Sequence, residues 1–166
     1  MKGLKSYIIA GILFVSVLGT FFHFVYEWSD NNFFVGLFAP INESVWEHTK
    51  LIFFPILIYA VFLNKNLKNQ YPCITSALGA ASLLGVLLII ILYYTYSGIT
   101  GFNVAFADIS IFYISVIASF YAAYKLTLSC GADKFSIILQ ILNIVMIFLF
   151  IAFTLSPPNI PLFINP

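Results

Sequence analysis

The sequence predicts an all-α fold, a polytopic bundle of five transmembrane helices, from two observations. Of the 166 residues, 62% are hydrophobic and 8% are charged. Soluble domains average about 45–50% apolar and about 25% charged residues, so this chain has too few charges to cover a water-facing surface. The apolar residues also fall into five long runs, each of a length that can span a bilayer. We therefore expect one integral membrane domain over residues 1–166.

The first helix is predicted at about residues 7–28, where an apolar run follows Lys2 and Lys5. A cleaved signal peptide has a similar charged start, but the apolar run continues to Tyr26, which favours an uncleaved helix. Residues 31–41 contain an apolar run that is too short to span. We expect this segment to lie in the membrane interface.

Four further spans follow with short connections and no linker between them. They are expected at about 44–63, 74–96, 103–128 and 134–155. The proline-rich tail, residues 156–166, cannot continue the last helix. We expect it to fold back as a lid over the mouth of the bundle, with a disordered end as the alternative.

Lysine positions predict the orientation of the bundle. Cytoplasmic loops of membrane proteins are enriched in basic residues. Lys50 lies inside the second helix, and the other six lysines precede the first helix or flank the second and fourth connections: Lys2, Lys5, Lys65, Lys68, Lys125 and Lys134. The N-terminus is therefore predicted inside and the C-terminus outside, in a bacterial plasma membrane. The net charge of +1 offers no electrostatic footprint for nucleic acid, and the expected partner is the lipid bilayer.

The two cysteines, Cys73 and Cys130, both fall at helix ends that are predicted to face the cytoplasm. A reducing compartment argues against a disulfide between them. Two isolated thiols also make no metal-binding motif. We expect both to be reduced and to act as small apolar filler.

The polar residues are concentrated in residues 23–48, which hold both histidines and four of the six acidic residues. His23 and Glu27 are four residues apart, so they share one face of the first helix. Asp108 begins the fourth helix at the same predicted membrane level. Imidazoles and carboxylates that converge from several helices are the ligands of a zinc-like divalent metal. We therefore predict the metal ligands His23, His48, Glu43 and Asp108, and the catalytic acid–base residues Glu47 and Glu27.

The depth of these groups supports a role beyond surface charge. After Lys50, the apolar part of the second helix runs from Leu51 to Leu63, which is about 20 Å of helix. The hydrocarbon core is about 30 Å thick. The polar first turns of this helix are therefore expected to lie partly in the membrane, where an unpaired charge costs a few kcal/mol.

A structural interpretation fits some of the same residues. Ser44 and Glu47 match a capping box, and Glu47 can pair with Lys50 one turn later. Three functions follow from the pattern: an outward-facing metal site that acts on a lipid or an envelope small molecule, a small-molecule or proton-coupled transporter, and a non-catalytic assembly protein. Five spans without an inverted repeat disfavour the transporter. A homo-oligomer is compatible with each of them.

Three motifs suggest a family. They are H-x3-E-W at His23–Trp28, N-E-S-x-W-E-H at Asn42–His48 and P-P-x-I-P-L-F at Pro157–Phe163. Together they resemble an uncharacterised family, a domain of unknown function, of small multi-pass membrane proteins of Firmicutes type. The resemblance covers most of the chain. It implies a shared helical membrane fold and supplies no activity.

Overall fold

The computed structural model describes residues 2–67 and 69–165. Part of the predicted charge bias lies outside this description, because it rests on Lys68 and on the side chains of Lys2 and Lys65. The final residue of the tail also lies outside it. Within the described part of the chain every regular element is helical.

The described residues form six α-helices and two short 3₁₀ turns. The helices are α1 (Lys2–Trp28), α2 (Phe33–Gly36), α3 (Val45–Leu67), α4 (Ile74–Thr100), α5 (Ala105–Ser129) and α6 (Ser136–Leu155), and the turns are Asp133–Phe135 and Pro161–Phe163. In the described part of the chain, five helices are long and apolar enough to cross a membrane, over Gly3–Trp28, Val45–Leu63, Ile74–Thr100, Ala105–Ser129 and Asp133–Leu155. The all-helical class and the five span-length helices are therefore confirmed.

The helices extend beyond the apolar runs from which they were predicted. Helix α1 begins at Lys2 instead of residue 7, and α4 continues to Thr100 instead of residue 96. Polar residues at the end of a span can stay helical because the backbone keeps its own hydrogen bonds. Helix α4 ends at Gly101, whose φ of 76° is the left-handed conformation that commonly ends helices.

Helices α3 and α4 form the centre of the bundle. In the most apolar 18-residue stretch of α3, 67% of the residues are buried inside the protein, against 11% in the corresponding stretch of α6. Helix α3 packs on α1 and α4, and α5 packs on α4 and α1, so these four helices close around one core. Helix α6 lies outside this core against α4, and its exposed isoleucines, such as Ile137 and Ile141, suit a lipid-facing position.

Helix α1 approaches its neighbours closely at two glycines. A Cβ atom at Gly11 would lie 2.3 Å from the Phe120 ring of α5. A Cβ atom at Gly19 would lie 2.5 Å from the Leu51 carbonyl oxygen of α3 and 2.6 Å from the Phe112 ring of α5. The absence of a side chain at these two positions therefore lets α1 pack directly against α3 and α5.

A buried lysine fastens the connection between α1 and α3 to the bundle. Lys50 of α3 is fully buried. Its Nζ donates to Glu47 Oε2 at 2.6 Å, to Thr154 Oγ1 at 2.7 Å and to the Gly36 carbonyl oxygen at 2.9 Å. The predicted pairing of Glu47 with Lys50 is confirmed. The hydrogen bonds of Lys50 to Thr154 and Gly36 join α3 to α6 and to the end of α2. The segment predicted at 31–41 is therefore packed onto α3.

The two cysteines form a disulfide, so the prediction of two isolated thiols was wrong. Cys73 immediately precedes α4 and Cys130 immediately follows α5. Since α4 and α5 are antiparallel neighbours, the start of one helix lies beside the end of the other. A hydrogen bond of 2.7 Å from Ser76 Oγ to Asp133 Oδ1 fastens the same end of the bundle. The separation of 57 residues gave no sign of this contact in the sequence.

Candidate functional site

His23, Glu43 and His48 form a cluster at the end of the bundle opposite the disulfide. His23 lies on α1, Glu43 lies just before α3, and His48 lies on the first turn of α3. One ligand atom from each residue lies within 4.8 Å of the others. The centroids of the two imidazole rings are 5.3 Å apart. Three of the four predicted metal ligands therefore converge.

The hydrogen bonds of His48 determine which of its nitrogens can bind an ion. Nδ1 lies 3.0 Å from the Ser44 carbonyl oxygen. A carbonyl oxygen can only accept, so Nδ1 carries the hydrogen and a neutral His48 has its lone pair on Nε2. Nε2 faces Glu43 Oε2 at 3.3 Å. Two acceptors in contact need a proton or a cation between them.

His23 adds a nitrogen without a partner to this cluster. Its Nδ1 is buried and has no hydrogen-bond partner within the described residues. Buried polar atoms are nearly always hydrogen-bonded, and the exceptions call for an explanation such as a bound ion. The His23 ring stands beside the His48 ring, and one of its nitrogens lies within 4.8 Å of the ligand atoms of His48 and Glu43.

The three side chains fit a zinc-like ion. Zinc bonds of about 2.0–2.2 Å in a tetrahedral arrangement place neighbouring nitrogen and oxygen ligands about 3.3–3.5 Å apart. The His48–Glu43 contact of 3.3 Å already has that length. The widest separation in the cluster, up to 4.8 Å, would contract by about 1.5 Å to bring all three ligands onto one ion. Glu43 is exposed, so its side chain has room to move.

The cluster lies at a partly open cavity of about 490 Å³ that is lined by residues of α1, α3, α4 and α5. A volume of this size is typical of ligand pockets. Its walls are mostly apolar, with a few polar groups among them. The residues that line the cavity are Thr20, His23, Phe24, Glu43, Val45, His48, Leu51, Ile89, Tyr93, Ala105, Asp108, Ile109, Ile111, Phe112 and Tyr113.

Asp108, the fourth predicted ligand, lines this cavity but lies outside the three-residue cluster. The Tyr96 hydroxyl donates a hydrogen bond to Asp108 Oδ1. The same hydroxyl accepts from the Val104 backbone N–H at 3.4 Å. Asp108 is therefore a carboxylate on the cavity wall that is held by Tyr96, a residue outside the lining. The sequence gave no sign of Tyr96, because its contact with Asp108 depends on the turn between α4 and α5.

The two predicted acid–base residues lie elsewhere. Glu47 is buried: its Oε1 accepts from Thr154 Oγ1 at 3.0 Å, and its Oε2 accepts from the Ile41 N–H at 3.1 Å as well as from Lys50. Glu27 is exposed on the last turn of α1. Neither residue lines the cavity. Their catalytic roles stay predictions that this arrangement does not favour.

The tail folds back onto the bundle, but at a different place from the predicted lid. The Phe163 ring lies 5.2 Å from Trp46 and 4.9 Å from Phe153, measured between centroids. The cavity has no described residue of the tail in its lining. The tail therefore packs against the start of α3 and the end of α6, on an aromatic cluster that the sequence did not reveal.

Fold and site together give a helical protein with five described helices that are long and apolar enough to cross a membrane, and with a histidine–glutamate cluster in a cavity at one end. The chain belongs to the family of unknown function DUF6512, whose model matches residues 1–166. The predicted membership of a family of unknown function is confirmed. No curated protein and no solved structure gives a significant match to the chain.

Proposed function

We propose that this protein is an integral membrane protein that binds a zinc-like divalent ion through His23, Glu43 and His48. The bound ion would act on a lipid or an envelope-derived small molecule in the cavity. The observation that carries the proposal is the 3.3 Å contact between His48 Nε2 and Glu43 Oε2, with a nitrogen of His23 within 4.8 Å of the ligand atoms of both. One cation would give all three side chains a common partner.

The chemistry follows from the number of ligands. Three protein ligands leave one position of a tetrahedral ion open, as in catalytic zinc sites. A divalent ion in that state polarises a carbonyl or phosphoryl oxygen of a bound molecule. The Ser44 carbonyl holds the His48 ring in the tautomer that presents Nε2, and Glu43 supplies negative charge.

Asp108 is better placed than Glu47 to exchange a proton with a bound molecule. Asp108 lines the cavity, whereas both oxygens of Glu47 accept hydrogen bonds elsewhere. A general base must come within hydrogen-bonding reach of the proton that it takes. We therefore assign the acid–base role to Asp108, with Tyr96 as the residue that orients it.

Metal analysis of the purified protein tests the proposal. After loading with zinc and dialysis, we expect close to one zinc per chain, measured by mass spectrometry of the elements. Glu43→Gln should lower the zinc content, because an amide replaces the negatively charged ligand. Glu27→Gln is the matched control and should leave it unchanged, since Glu27 lies outside the cluster. Wild-type zinc content no higher than that of the His23→Ala/His48→Ala protein would show that the cluster is a simple ion pair.

We place the protein in a bacterial plasma membrane with the cavity on the outer side. The support is the lysine distribution, since Lys5, Lys125 and Lys134 all lie at the end away from the cavity. The disulfide at that same end argues for the reverse, because disulfides persist in oxidising compartments. We give the lysines more weight, because the excess of Lys and Arg in cytoplasmic segments sets the overall orientation of membrane helices.

Cysteine labelling of intact cells decides this orientation. In a protein that carries Cys73→Ser and Cys130→Ser, one variant adds Phe102→Cys at the cavity end and the other adds Gln70→Cys at the lysine-rich end. Both positions are exposed in connections between helices. We expect an impermeant maleimide to label Phe102→Cys in intact cells, and Gln70→Cys after permeabilisation. The opposite pattern would place the cavity in the cytoplasm.

A further inference from the structure

The gap between α1 and α5 has a closed end and an open end. The helices touch at Gly19 and Phe112, and one residue further on Thr20 Oγ1 lies 3.2 Å from the Tyr113 hydroxyl. From this point toward the end of α1, both helices contribute residues to the cavity lining instead. The cavity therefore occupies a gap between two outer helices of the bundle, with its floor at the Thr20–Tyr113 contact.

The rim of this gap lies on the side of the bundle. Phe24, Ile109 and Tyr113 line the cavity and are 42%, 58% and 39% exposed. They lie on α1 and α5, within the helix segments that are apolar enough to span a membrane. Phe24 and Ile109 are next in sequence to His23 and Asp108, so in a bilayer the rim would lie where the headgroups meet the lipid chains. A molecule could therefore enter the cavity sideways from the bilayer.

The inner wall of the cavity is apolar, its floor carries the hydroxyls of Thr20 and Tyr113, and its histidines and carboxylates lie at the other end. Val45, Leu51 and Ile89 form the inner wall and are each nearly buried. The His23–Glu43–His48 cluster and Asp108 lie beyond the point where α1 and α5 separate, toward the connections between helices. This is an amphipathic cavity, and its two chemically different parts match the two parts of a lipid.

We infer that the cavity takes a lipid from the surrounding bilayer, with its acyl chain between α1 and α5 and its headgroup at the polar end. The inference rests on the proposed function only for the ion that the headgroup would meet. A polar, water-soluble molecule would leave the apolar wall without a partner. A lipid chain covers that wall, and the sideways opening lets the chain remain in the bilayer.

The polar groups also indicate the headgroup chemistry. A cation at the cluster would bind a phosphate or ester carbonyl oxygen, and Asp108 would accept a hydrogen bond from a hydroxyl or an ammonium group. Phosphatidylglycerol carries the hydroxyl and phosphatidylethanolamine carries the ammonium. Both lipids therefore offer an oxygen that can bind the cation and, beside it, a hydrogen-bond donor that can reach Asp108.

Photo-crosslinking in vesicles tests the inference. The protein is reconstituted in phosphatidylethanolamine and phosphatidylglycerol vesicles that contain a trace of phosphatidylglycerol with a diazirine in its acyl chain. After irradiation, adducts are mapped by peptide mass spectrometry. We expect adducts on Val45, Leu51 or Ile89, because bulk lipid does not reach these nearly buried residues. Adducts confined to the bilayer-facing helix surfaces would overturn the inference.

A matched pair of variants gives the control. Ile109→Trp places a bulky ring on the rim, and Ile117→Trp places the same ring on α5 outside the cavity, at a residue of similar exposure, 53% against 58%. We expect loss of the inner-wall adducts in Ile109→Trp and their retention in Ile117→Trp. Equal adducts in both would overturn the inference. Should Ile109→Trp fail to fold, Ala105→Trp on the same rim replaces it.

Zinc content measured on the same preparations separates this inference from the proposed function. Inner-wall adducts in a protein that binds no zinc would support the lipid site and remove the metal site. Bound zinc without inner-wall adducts would support the metal site and remove the lipid site. The two proposals can thus fail independently.

Discussion

Lys50→Met is expected to lower the free energy of unfolding by about 3–5 kcal/mol, the usual cost of removing one partner of a buried ion pair. Lys50 is fully buried, and the side chain of Glu47 is 3% exposed. Methionine fills much of the same space but donates no hydrogen bond. The Glu47 carboxylate would lose its counter-ion, and the Gly36 carbonyl oxygen would lose its Lys50 donor.

Two further variants show whether the buried charge is the cause. Lys50→Met/Glu47→Gln removes both charges, so it should recover part of the loss, since the two effects are not additive. Lys5→Met removes an exposed lysine of α1 and should change stability by less than about 0.5 kcal/mol. Unfolding by a denaturing detergent, followed by circular dichroism, measures all three. A Lys50→Met protein as stable as the Lys5→Met protein would contradict the role of Lys50.

His48→Ala is expected to weaken zinc binding by more than about 100-fold, because even residues that only orient a metal ligand contribute 10–100-fold to affinity. His48 supplies the ring nitrogen that faces Glu43 at 3.3 Å. The partly exposed His48 side chain, at 30%, leaves room for alanine without a large core cavity. Folding should therefore persist while the metal site is lost.

The stabilisation of the fold by zinc reports this loss quantitatively. With free zinc at about 1,000 times the dissociation constant, the wild-type protein should gain about 4 kcal/mol. A dissociation constant raised 100-fold would reduce that gain to about 1.4 kcal/mol at the same zinc concentration. His48→Cys, which restores a zinc ligand, should recover part of the gain. Equal stabilisation of wild type and His48→Ala would show that zinc binds elsewhere.

Much of the fold could be predicted because the constraints on it are local. Low charge and long apolar runs specify span-length helices wherever the chain meets a bilayer. The helix ends were less predictable, since α4 continues through a polar, tyrosine-containing turn to Gly101. The disulfide was missed because it depends on which helices are neighbours, and because the expected compartment argued against it.

The candidate site shows the same division between local and long-range information. His23 and His48 were the two available imidazoles, and Glu43 stood beside the start of α3, so a cluster was predictable from residue type and position. The buried position of Glu47 could not be predicted, because one of its hydrogen bonds comes from Thr154, which is more than 100 residues away in the chain. Tyr96 was missed for the same reason, since its role depends on a contact across the α4–α5 turn.

The X-ray absorption spectrum of the zinc-loaded protein tests the metal site most directly. We predict a first shell of nitrogen and oxygen only, with the outer-shell scattering of two imidazole rings from His23 and His48. At a zinc concentration high enough to load His48→Ala despite its weaker binding, the contribution of one ring should disappear. Sulfur in the first shell would instead implicate Cys73 and Cys130, and a shell without imidazole would mean that zinc binds only to carboxylates or water. Either result would contradict a metal centre at His23, Glu43 and His48.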